Sequence, residues 1–223
     1  MSWRNTALQT RYRRRVRGNA LATCWQASSP CRRAPWLDTE ILAIDTETSA
    51  LEPTKGELLS IGWVLIKRGR ILTRSAQHHL LNNRQGVGQS ATIHQLRDCE
   101  LIDGLSPREM MPHFLDAAAG RLLLFHYAHL DLAFLNQLSR TLYQAPLLLP
   151  YIDTLDIERR KMLRRGQTPE RGSLRLAACR QRYHLPAYPA HNALADALAT
   201  AELFIAQARY RSDDNNLRIK DIC

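Results

Sequence analysis

Short, nearly continuous apolar runs alternate along this chain with longer stretches of helical period. Ile41-Leu42-Ala43-Ile44 carries no polar residue, the pattern of a strand buried on both faces. Residues 58–66 and 70–80 read as two further strands around the turn Lys67-Arg68-Gly69, a hairpin signal. Ser106-Pro107-Arg108-Glu109 opens a helix, with Ser as N-cap, Pro at the first helical position and Glu at the third. That helix is expected to end near residue 119, where Gly120 stops it. Residues 122–125 form another buried strand, and helical spacing follows over 129–143, 153–165, 173–183 and 192–209. In the last of these, Leu194, Leu198, Ala201, Ile205 and Ala208 make the expected core stripe. A hairpin followed by alternating strands and helices predicts an α/β fold, a mixed central sheet flanked by helices.

Composition adds boundaries and a sign of charge. The chain has 223 residues, 45% of them apolar and 23% charged, enough for one globular domain with an extension. Its longest apolar stretch, 122–135, is broken by His126, His129 and Asp131, so no membrane span is expected. The net charge is +10, and only four of the 31 basic residues are lysines. Arginine's planar fork suits phosphate oxygens, so the balance reads either as affinity for a polyanion or as a solubility surface. Residues 1–37 hold eight arginines and no acid, and they lack the apolar stretch of a secretory signal. They read as a basic N-terminal arm for nucleic acid or a protein partner, or else as a solvated leader, ahead of a domain over 38–210 and a polar tail over 211–223. The five cysteines form no C-x-x-C pair, which fits a reducing, cytoplasmic compartment and argues against a thiolate zinc site.

Four acids stand where acids are costly. Asp45 and Glu47 follow the first apolar run, and at two-residue spacing on extended chain both leave the same face. Two carboxylates side by side repel unless a cation lies between them or one takes a proton. Asp131 is flanked by apolar residues and needs a hydrogen bond, an ion pair or a metal. Asp196 opens the last helix, off its core stripe, with His191 just ahead of it. Taken one by one, these also read as a surface turn, a helix cap, and a capping acid beside a surface histidine.

In order, however, they resemble the three motifs of the DEDD 3′–5′ exonucleases. Asp45-Thr-Glu47-Thr-Ser-Ala-Leu51 is similar to D-x-E-T-T-G-L, and His126-Tyr-Ala-His-Leu-Asp131-Leu-Ala-Phe-Leu135 to H-N-A-x-F-D-x-x-F-L. His191 followed by Asp196 matches the third motif in its histidine variant. Ala91-Thr-Ile-His94 resembles the segment before the family's I-H-G-I element, and Tyr151-Ile-Asp153-Thr-Leu its D-T-L strand–helix junction. Proofreading subunits of bacterial replicative polymerase and ribonuclease T share these motifs. Ser49-Ala50, Tyr127 and Leu130 depart from the pattern at positions that bear on the turn and on substrate fit.

The resemblance implies a ribonuclease H-like fold in which Asp45, Glu47, Asp131 and Asp196 hold two divalent ions, Mg²⁺ or Mn²⁺. It implies His191 as general base, and Leu51 and His94 as contacts to the terminal nucleotide. The expected activity is release of nucleoside 5′-monophosphates from single-stranded 3′ ends, with DNA favoured. An exoribonuclease and an inactive nucleic-acid-binding subunit are the alternatives. A third element of expectation is a grip on phosphates from the nine basic residues between 159 and 182. The short sequence after the last helix points to a stand-alone or differently recruited enzyme.

Overall fold

The computed structural model describes residues 6–27, 30–82, 103–189, 191–211 and 217–222. Its centre is a five-stranded sheet of order β3-β2-β1-β4-β5, built from β1 (Ile41–Thr48), β2 (Leu58–Lys67), β3 (Arg70–Leu80), β4 (Leu122–Phe125) and β5 (Tyr151–Asp153). β1, β2 and β3 are antiparallel, whereas β4 and β5 run parallel to β1. The β2–β3 hairpin closes through Arg68 (φ 51°) and Gly69 (φ 69°), two successive left-handed residues whose twist matches that of the strands.

Alternation along β1 sorts the core into two layers. Leu42 and Ile44 face one side, with Trp63, Phe114, Phe125 and Phe134. Ile41 and Ala43 face the other, with Val64, Leu124, Ile152 and Phe204. On the first side lie α1 (Thr6–Tyr12), α2 (Ala20–Gln26), α3 (Pro107–Ala118) and α4 (Ala128–Tyr143). α3 starts at the expected capping box, the Ser106 hydroxyl accepting from Glu109 N–H and Glu109 Oε2 from Ser106 N–H. The second side carries α5 (Thr154–Arg164), α6 (Leu176–Gln181), α7 (Ala193–Arg211) and α8 (Ile219–Ile222). Among the described residues no helix is long and apolar enough to cross a membrane.

The ends of the chain depart from what composition suggests. Val16, Leu21 and Cys24 are buried in the first core with Met110 and Phe114, and the Trp25 indole donates to the Leu147 carbonyl at 2.6 Å. The basic residues of 6–27 therefore decorate a packed helical pair, and the edge of the core does not fall at residue 37. At the other end Ile219 and Ile222 are buried, and Ile219 N–H donates to Ala34 O at 3.1 Å while Lys220 N–H donates to Arg32 O at 2.9 Å. A polar tail reading misses this because two isoleucines three residues apart suffice to dock one turn of helix.

The stripe of α7 is also rotated from the expected one. Ala193, Ala197, Ala201, Phe204 and Ala208 are buried, while Leu194, Leu198 and Ile205 are only partly covered. The cause is Gly62 on β2: a Cβ there would lie 2.3 Å from Leu194 N and 2.5 Å from the Ala193 carbonyl carbon. The helix start rests directly on bare strand backbone, so its small residues face the sheet.

Candidate active site

β1 and β4 pair only as far as Ala43↔Leu124 and then separate, opening a crevice at the carboxyl ends of two parallel strands. Asp45 is the second residue past that point. By alternation Asp45 and Glu47 project toward α7, and Gly62, the register partner of Asp45, lets Asp196 in the first turn of α7 come down to them. Carboxylate oxygens of Asp45, Glu47 and Asp196 all lie within 4.8 Å of one another.

Thr46 points the other way, toward α4. Its hydroxyl donates to Asp131 Oδ1 at 2.7 Å, which fixes the buried fourth carboxylate against the end of the same strand. Asp131 thus reaches the crevice from the opposite side of the sheet. Burial pushes its carboxyl up to about 7, against the Thr46 hydrogen bond. Asp45 is raised well above the usual carboxylate range, first by burial and then by the charges of Asp131, Asp196 and Glu47. Asp196 is raised as well, by burial and by Glu47, with the His191 backbone N–H acting against the shift. Together Asp45, Asp131 and Asp196 make the site an accumulation of negative charge.

His191 sits at the rim in the left-handed region (φ 71°), its N–H donating to Asp196 Oδ2 at 2.9 Å. The Asn192 side chain accepts from Ala195 N–H at 3.1 Å and its carbonyl from Asp196 N–H at 2.9 Å, so the turn that carries His191 is also the cap of α7. Asp45, Asp196 and His191 line a cleft of about 910 Å³ together with His126, Tyr127, Arg171 and Arg175. His126 Nε2 donates to the Leu174 carbonyl at 2.9 Å and Nδ1 lies 2.8 Å from Thr154 Oγ1, tying the cleft wall to α5.

Leu51 is 80% exposed on the turn after β1. The substitution of Ser49-Ala50 for the family's residues leaves that turn closed: Ser49 Oγ accepts from Glu57 N–H at 2.8 Å, and Gly56 makes room for the Ala50 methyl. Leu130 packs at the edge of the core. His94 lies outside the described residues.

Three contributors escape sequence reasoning based on motif residues alone. Thr46 stands between the two acids of the first motif and serves the second. Gly62 is a glycine in a strand interior, itself a sign of close approach. Tyr127 (φ 73°) is half exposed in the cleft, held in the left-handed region because Asp153 takes its N–H at 3.0 Å and that of Ala128 at 2.9 Å. Asparagine tolerates that conformation better than tyrosine does, so the departure here has a backbone cost.

The family model RNase_T, described as Exonuclease, matches residues 42–204, from β1 to α7. The DNA polymerase III PolC-type protein of Thermotoga maritima is 28% identical over 169 residues, 75% of this chain and 12% of that protein. The PolC-type protein of Caldanaerobacter subterraneus subsp. tengcongensis is 25% identical over 177 residues, again covering 12% of its length. The chain therefore spans about an eighth of these curated relatives. In fold it is similar to E. coli exonuclease I crystallised with a dA16 oligonucleotide, at TM-score 0.66 and 15% identity over 80% of this chain and 42% of that one. Exonuclease I from Methylocaldum szegediense matches at TM-score 0.65 and 16% identity, covering 80% and 42% of the two chains.

Proposed function

Since this chain belongs to the DEDD-type 3′–5′ exonuclease family, we propose that it removes nucleoside 5′-monophosphates one at a time from single-stranded 3′ ends, with DNA as the favoured substrate. The observation that carries the reading is the meeting of Asp45, Glu47 and Asp196 within 4.8 Å beside buried Asp131. The choice of DNA over RNA is supported by the relatives' being DNA polymerase III PolC-type proteins.

The donor set fits hard divalent cations: all four side chains offer oxygen, and the raised carboxyl pKa values of Asp45, Asp131 and Asp196 mark a site that gains from positive charge. Asp45, Glu47, Asp131 and Asp196 would hold two such ions, Mg²⁺ or Mn²⁺. Bound there, they supply Lewis acidity to the scissile phosphate and neutralise the charge that builds on it. The residues of the chain do the rest. An imidazole nitrogen of His191, at the rim of the cleft, takes the proton of the attacking water. Asp196 anchors the His191 backbone and so sets the approach of that ring. Leu51 and His94 contact the terminal nucleotide, and Arg171 and Arg175 on the cleft wall meet backbone phosphates. The arginines of residues 1–37 offer a surface for a protein partner, and the scattered cysteines suit a cytoplasmic enzyme.

The test is degradation of 5′-labelled single strands of DNA and of RNA of equal sequence, with Mg²⁺, Mn²⁺ or EDTA, beside Asp45→Ala. A metal-dependent ladder of shortening products that the variant lacks is expected, faster on DNA. Intact label under every condition would sink the exonuclease reading.

A further inference from the structure

Away from the carboxylates, the carboxyl ends of α5 and α7 converge on an exposed cluster of cations and aromatic rings. Lys161 Nζ lies over two tyrosine rings at once, 4.3 Å from the centre of Tyr183 and 4.1 Å from that of Tyr210. The two rings meet edge to face at 5.7 Å. Lys161 donates to the Tyr183 hydroxyl at 3.0 Å, and Arg165 donates to the Tyr210 hydroxyl at 3.3 Å. Tyr210 is nevertheless 63% exposed, the second most exposed large apolar or aromatic side chain among the described residues, after Leu51.

Among the described residues of α5, the acid Asp156 is paired with Arg159 at 2.9 Å. Glu158, the acid beneath them, is buried and already engaged by Arg182 Nε at 2.9 Å and the Tyr183 hydroxyl at 2.8 Å. An ammonium has three donors, and only one of those on Lys161 goes to Tyr183. A stacked, oriented cation beside an open aromatic face is the pairing with which proteins hold single strands regardless of sequence.

The cluster is also joined to the cleft. The loop that leaves Arg165 carries Arg171 and Arg175 to the cleft wall. Arg182 links the two, reaching the Ser173 carbonyl at 2.8 Å from one side and Glu158 from the other. Asp196 and Tyr210 stand fourteen residues apart on one helix, so the cluster lies about 21 Å from the acids. At roughly 3.4 Å per stacked nucleotide that is about six nucleotides of strand, and fewer if the strand is extended.

We propose that Tyr210, with Lys161 and Arg165, is an upstream binding site for the single-stranded sugar–phosphate backbone and one of its bases, reached only by strands long enough to run from the cleft along the basic loop. This rests on the exonuclease reading for the position of the 3′ end, and not for the binding itself. Single-strand affinity is to be read by fluorescence anisotropy on the Asp45→Ala protein, which holds substrate without turnover, using labelled oligo-dT of about 15 and about 3 nucleotides. Tyr210→Ala should weaken the 15-mer about tenfold, as for loss of one stacked base, and leave the trimer unchanged. Lys161→Gln should flatten the dependence of log K on log salt by about 0.7, one phosphate contact on a single strand. Tyr210→Phe keeps the ring and should bind like the parent; melting curves of all variants report whether each is folded. Equal affinity of parent and Tyr210→Ala for the 15-mer, or an equal loss on both lengths, would overturn the proposal. A parent enzyme that cleaves nothing with any metal would remove the exonuclease reading and leave this comparison of affinities standing.

Discussion

Replacing Asp131 by asparagine should make the metal-free protein more stable, and do so only where the native acid is ionised. Its carboxyl is buried, accepts one hydroxyl from Thr46, and is raised from 3.8 to about 7. A carboxyl raised in the folded state holds its proton more tightly there than in the unfolded chain. The stability tied to that proton is complete below about pH 4 and is lost as pH rises to about 7. At about 1.4 kcal/mol per unit, the full loss is on the order of 4 kcal/mol, of which about 3 kcal/mol falls between pH 5 and pH 8. Asparagine copies the protonated acid in shape and can still accept from Thr46, so the variant lacks this loss. Urea unfolding in EDTA at about pH 5 and about pH 8 should find the native protein losing about 3 kcal/mol more than Asp131→Asn across the interval. The partly buried His126, lowered by desolvation, is common to both proteins and drops out of the difference. Parallel pH profiles would refute the account of Asp131 as a forced charge. Saturating Mg²⁺ should close the gap, because binding to the folded site favours the ionised acid.

His191→Ala should lower kcat by about 10²–10⁴ with the fold intact, as for a missing general base; unchanged turnover would move that role to another group. Gly62→Ala would drive a methyl into the start of α7 and shift Asp196, costing about 1–3 kcal/mol and a larger share of activity, read by denaturation and by the strand-degradation assay. Tyr127→Asn relieves a left-handed tyrosine and should raise the unfolding free energy by about 1 kcal/mol; a fall in the urea midpoint contradicts this. Removing residues 1–27 uncovers a buried patch under Val16, Leu21 and Cys24, and at about 1.5–3 kcal/mol per large side chain the truncated protein should melt well below the full chain.

Much of this was readable from the residues. The apolar run at 41–44, the hairpin around Gly69 and the capping box at Ser106 are local signals, each decided by a few neighbours, and each element forms where they place it. The four acids and His191 were legible because ordered motifs constrain sequence as well as space. What escaped depends on partners distant in sequence. The rotated stripe of α7 follows from a glycine more than a hundred residues earlier, and helical period alone ranks Leu194 above Ala193. The docking of residues 6–27 rests on three scattered apolar side chains amid arginines, which an average over composition hides. Tyr127 looked like a simple departure from a motif, and only its φ shows what the departure costs.

The backbone bridge between Pro35 and Arg218 ties the segment ahead of β1 to the segment ahead of α8. With Ile219 bonded to Ala34 and Lys220 to Arg32, the link from the helical pair of residues 6–27 to β1 is held at the same clasp as α8. Loosening one segment therefore loosens the other, so the helical pair and the last turn of helix should open together, ahead of the sheet.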